Sequence, residues 1–154
     1  MHEWPADVER LMRAAGWYEG RDSSDFPQWV DQLRRQGGFE PFLAAERALR
    51  EFGGLEATAD GPGIDLGRSG FNATPTLCVF EDDRFEEASV QLGERLYPLG
   101  EIHGGYDFFA VGESGRVFAG FLIGTGTFTV LGSTVAEALA NILLGRRPDS
   151  SRNV

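Results

Sequence analysis

The sequence predicts an α+β domain: three N-terminal helices, a mostly antiparallel sheet with a central hairpin, and a C-terminal helix. Three observations carry this reading. Apolar residues recur at helical spacing as far as Phe52, the period changes to alternation from Leu55 onward, and helical spacing returns behind a capping pattern at Thr134. A length of 154 residues with 42% hydrophobic and 12% aromatic content is enough for one core without disulfide staples. Residues 1–145 read as a single domain and 146–154 as a disordered tail.

Pro5 at a first-turn position, with Val8, Leu11, Met12 and Ala15 at helical spacing and Gly16 as a stop, predicts a first helix from about Pro5 to Ala15. The polar link that follows holds Trp17 and Tyr18, the two aromatic residues expected to lie outside the core. Asp25 as cap and Pro27 at the start open a second helix. It carries Phe26, Trp29, Val30 and Leu33 on one face and ends at Gly37-Gly38. A third helix begins near Glu40 and Pro41, turns Phe42, Ala45, Leu49 and Phe52 inward, and ends at Gly53-Gly54.

Leu55 to Ala59 predicts a short strand, followed by a Gly-rich loop. Thr76 to Phe80 reads as a buried strand with Cys78 as an inert thiol inside it. The acidic segment Glu81, Asp82, Asp83, Arg84, Phe85, Glu86, Glu87 reads as a solvated loop or short helix anchored only by Phe85 and Ala88. Leu96 to Leu99 then leads through Gly100 and Gly104-Gly105 into a hairpin. Its strands are Tyr106 to Val111 and Arg116 to Ile123, joined by Gly112-Glu113-Ser114-Gly115. Both faces of the first strand are apolar except at Asp107, the pattern of a central strand covered on both sides. Thr125 to Leu131 alternates between threonines and apolar residues and reads as an edge strand. Thr134-Val135-Ala136-Glu137 is a capping box, and the helix behind it buries Val135, Ala138, Leu139, Ile142 and Leu143 before Gly145.

Charge narrows the function. The net charge is −10, and residues 81–113 alone hold nine acidic against two basic residues. Direct binding of nucleic acid or of an anionic membrane is disfavoured, since both need a cationic surface. A basic protein partner is not. No apolar run reaches the roughly 18 residues of a membrane-spanning helix, and M-H-E-W-P-A-D is not laid out as a secretory signal, so a cytoplasmic protein is expected.

The inventory of reactive groups is thin, and no catalytic residue, metal or cofactor is assigned. His103 in E-I-H-G-G is the one histidine away from the terminus and reads as a turn residue. Asp82, Asp83, Glu86 and Glu87 lack the ordered alternation and glycine of a calcium loop. Gly124-Thr125-Gly126 precedes β-type residues in a chain without lysine, which argues against a phosphate loop. Glu94 and Glu101 are a conceivable glycosidase pair, but sequence does not set the roughly 5 to 9 Å separation such chemistry needs. What is left is a compact acidic domain that works by binding.

The motifs A-G-W-x-x-G-R (Ala15 to Arg21), the helix around Trp29, E-F-G-G-L (Glu51 to Leu55), L-Y-P-L-G-E (Leu96 to Glu101) and G-R-V-F (Gly115 to Phe118) follow one another in a set order. In this the chain resembles the SUKH superfamily of bacterial immunity proteins, third subgroup, from about Leu11 to Gly145. The resemblance implies an α+β fold and neutralisation of a cognate bacterial toxin domain, in many cases one acting on nucleic acid. It also implies scaffold roles for Trp17, Arg21, Gly53, Gly54, Pro98, Gly100 and Arg116, with Arg21 expected to pair with a buried carboxylate. The binding candidates are therefore Glu81, Asp82, Asp83, Glu86 and Glu87, with Glu94 and Glu101 as neighbours, facing a basic toxin of nuclease type. Two other readings stand beside this one. The acid could serve only as a solvated face, or the chain could be a regulatory or scaffolding module docking a host protein or peptide at Thr125 to Leu131.

Overall fold

A computed structural model describes residues 2–121 and 128–148. Helix α1 (Ala6–Ala14), α2 (Phe26–Arg35) and α3 (Leu43–Phe52) come first, and α5 (Val135–Leu144) comes last. Between them lie strands β1 (Glu56–Ala57), β2 (Phe71–Asn72), β3 (Leu96–Ile102), β4 (Asp107–Gly112), β5 (Val117–Ala119) and β6 (Thr129–Gly132). Helix α4 (Asp82–Leu92) is carried on the connection between β2 and β3. The six strands form one antiparallel sheet in the order of the chain, β1 to β6, so each strand pairs with its sequence neighbours. The α+β expectation holds in class and in element order.

The central hairpin forms as expected, with Phe109 opposite Ala119 and Val111 opposite Val117. β4 is buried along its length and so is β5, as both-sided apolarity requires. Two details differ. Tyr106 stays outside the strand and is 82% exposed, while Asp107, expected as an interruption, is buried within it. Its carboxylate accepts hydrogen bonds from the amides of Phe108 (2.8 Å), Gly120 (2.7 Å) and Phe121 (2.9 Å), which holds the chain as it leaves β5. Of the expected edge strand, 129–132 is seen at the sheet edge; 122–127, and with them Ile123 and Thr125, lie outside the described residues.

β3 runs on to Ile102, three residues beyond Leu99, even though Pro98 cannot donate to a ladder. A register shift between Pro98 and Gly100 absorbs the proline. Gly100 has φ +148°, and a Cβ there would run into the carbonyl oxygen of Asn72 on β2. Only glycine allows the two strands to approach so closely.

The expected strand at Thr76 to Phe80 is not one. Pro75 opens a 3₁₀ turn, Pro75–Cys78, in which the Leu77 amide donates to Thr74 O and the Val79 amide to Thr76 O. Short apolar runs do not distinguish strand from helix by period, and here Pro75 and Cys78, three apart, point inward while Leu77 and Phe80 point out. The thiol of Cys78 is buried and donates to Gly100 O at 3.5 Å. Burial, reinforced by the Glu101 and Glu81 carboxylates, pushes its pKa far up, in keeping with an inert thiol.

Trp17 is also a correction, because it lies in the core. Its indole N–H donates to Glu51 Oε2 at 3.0 Å, and its ring meets Trp4 edge-on at 4.9 Å. Tyr18 is exposed as expected. Among the described residues Arg21 has no carboxylate partner; it donates to the main-chain oxygen of Glu51 in the last turn of α3, where carbonyls lack helical partners. The α5 cap forms, with the Glu137 amide donating to Thr134 Oγ1, though the Glu137 carboxylate reaches back to the Ser133 amide. Arg146 and Arg147 hydrogen-bond to Asn141 and Asp65, and 149–154 of the expected tail lie outside the described residues.

Candidate functional site

The acidic segment forms α4, eleven residues long, so the helix reading of that stretch is the one observed. Its inner face is held by Phe85 and Ala88, both buried. The Phe85 ring stacks on Phe121 at 4.5 Å and meets Phe39 edge-on at 5.5 Å. Burying one such ring contributes about 1.5–3 kcal/mol, ample to fix a helix of three turns. The C-terminus closes at Gly93 with φ +75°, and Ser89 Oγ donates to Glu94 O.

With the inner face fixed, helical geometry puts Asp83, Glu86, Glu87 and Val90 on the outer one, and all four are exposed. Asp82 is partly covered. Among the described residues none of Asp82, Asp83, Glu86 and Glu87 has a cationic partner. Glu81 does: Arg84 donates to it at 2.9 Å and to Phe121 O at 3.2 Å, tying the start of α4 to the chain just after β5.

The two outlying candidates are placed elsewhere. Glu94 reaches across the β4–β5 turn. Its Oε1 accepts from the amide and hydroxyl of Ser114 at 3.0 and 2.9 Å, and its Oε2 from Arg116 at 2.7 Å. Burial alone raises the Glu94 pKa, but the Ser114 and Arg116 donors together outweigh it and hold the carboxyl below its ordinary value. Glu101 lies opposite Asn72, which lies opposite Glu56, and all three line a cleft of about 450 Å³ with Ser69, His103 and Gly105. His103 is an exposed turn residue whose Nδ1 meets Ser69 Oγ at 2.8 Å.

Phe80, one residue before Glu81, was expected at the end of a buried strand and is not buried. It is 72% exposed and has φ +67°, a left-handed backbone unusual for a bulky residue. Its amide donates to Gln36 O at 3.0 Å, which fixes the backbone while the ring points to solvent.

Among the described residues no group of His, Cys, Asp and Glu is placed to hold a metal ion, and no helix is long and apolar enough to cross a membrane. Fold and site together define a small α+β domain that carries an acidic helix beside its sheet. The family model for SUKH-3 immunity proteins matches residues 4–145, and the chain belongs to that family. Membership brings with it a toxin-neutralising immunity function and a cognate toxin as partner. No curated protein and no solved structure matches the chain.

Proposed function

We propose that this immunity protein neutralises its toxin through the outer face of α4, with Asp82, Asp83, Glu86 and Glu87 facing a basic toxin surface and Glu81 at its edge. The observation that carries this is the exposed stripe of Asp83, Glu86 and Glu87, which have no cationic partner among the described residues, on a helix whose other side is packed against the rest of the domain. A fixed array of like charges raises encounter rates with a basic partner, and rigidity spares the cost of ordering on binding. Toxins that act on nucleic acid present such a basic cleft, which makes a nuclease-type domain the fitting target. Glu94 stays out of the proposed face because its acceptors are taken up within the domain. Glu101 stays out because it lines a separate cleft.

The test is the association rate with the toxin against which the chain protects cells, measured for the triple variant Asp83→Lys, Glu86→Lys, Glu87→Lys. A fall of about tenfold at low salt, with a flatter salt dependence, is expected. Unchanged association would overturn the charge reading.

A further inference from the structure

Phe80 has two features that the fold does not use. Its side chain is mostly in solvent, and its backbone occupies a region that glycine fills without strain. Leu77, three residues earlier, is exposed as well, so a small apolar prominence stands directly before the acidic helix. Protein interfaces concentrate their affinity in a few aromatic anchors that enter pockets, while surrounding charges set encounter and orientation.

We propose that Phe80 is the apolar anchor of the toxin interface, entering a recess on the toxin whose rim carries the basic residues that face Asp83, Glu86 and Glu87. This inference rests on the α4 reading for the identity of the partner. The charge of the helix selects that partner: a recess rimmed by arginine or lysine matches an aromatic ring set beside carboxylates, and guanidinium groups also favour the ring face. The bond from its amide to Gln36 O fixes the backbone from which the ring projects, so the main chain needs no ordering on binding.

The experiment uses the full chain and, as probe, the purified toxin domain against which it protects cells, with both rate constants measured for Phe80→Gly and Phe80→Trp. Phe80→Gly is expected to speed dissociation by about tenfold or more and to leave association within about twofold. Phe80→Trp is expected to retain slow dissociation. Dissociation unchanged in Phe80→Gly overturns the anchor, and if the lysine variant still slows association the charge reading survives alone. Faster dissociation in Phe80→Gly with no effect of the lysine variant keeps the anchor and removes the charge reading. No effect of either variant removes both.

Discussion

The carboxylate of Glu94 and the guanidinium of Arg116 meet at 2.7 Å across the mouth of the β4–β5 turn, with Ser114 held between them. Glu94 lies two residues before β3, so this contact joins the end of the α4 excursion to the sheet's central hairpin. The Glu94 side chain is only 11% exposed, which lifts the pair above an ordinary surface ion pair.

Glu94→Gln is therefore expected to lower stability at neutral pH by about 2 kcal/mol, the scale of hydrogen bonds to a charged group. Because the folded carboxyl is held below its ordinary value, its contribution is fully present above the unfolded pKa and is lost as pH falls through the folded one. The gap between wild type and variant, read by urea unfolding at pH 7 and again in the acid range below 4.5, should narrow on acidification. A constant gap would show that the carboxylate's charge is not what matters.

Asp107→Ala removes the acceptor of three main-chain amides at a buried site. Each orphaned amide costs about 1–3 kcal/mol, so a loss of several kcal/mol is expected. Amide exchange at Gly120 and Phe121 should accelerate more than exchange in α1.

Gly100→Ala is expected to cost about 3 kcal/mol or more, because the new methyl group meets the Asn72 carbonyl on the neighbouring strand. Thermal unfolding of this variant, compared with Gly93→Ala, checks the cause. Gly93 also has positive φ but has open space around it, so the smaller loss belongs there.

Cys78 should resist thiol reagents at pH 8 in the native protein and react fully in denaturant, since burial raises its pKa and excludes the reagent. Rapid native labelling would mean that the turn at Pro75–Cys78 opens readily.

The sheet's centre was legible because Phe108 to Val111 and Val117 to Ala119 are apolar on both faces, a pattern that few alternatives satisfy. Helices α1, α2 and α5 were legible from their spacing, and α5 also from its cap. The 3₁₀ turn was not. Thr76 to Phe80 offers five residues of β-like composition, and what decided against a strand was Pro75 together with the inward pair Pro75 and Cys78. β2 was hidden because two residues, Phe71 and Asn72, carry no period at all, and their pairing with β1 and β3 is a matter of tertiary contact. The acidic segment could be located by charge, but its outer stripe became visible only once Phe85 fixed which side faces in. Phe80 was invisible for the opposite reason, since an aromatic at the end of an apolar run reads as core until its backbone is known.

α4 and the 3₁₀ turn both lie on the excursion from β2 to β3, while the strands on either side are set by Phe71, Asn72, Glu101 and Ile102. The outer stripe therefore contributes nothing to the ladder, and its charges can be rewritten without moving a strand. On the reading proposed for α4, recognition can therefore be altered at the stripe while the ladder that carries it stays as it is.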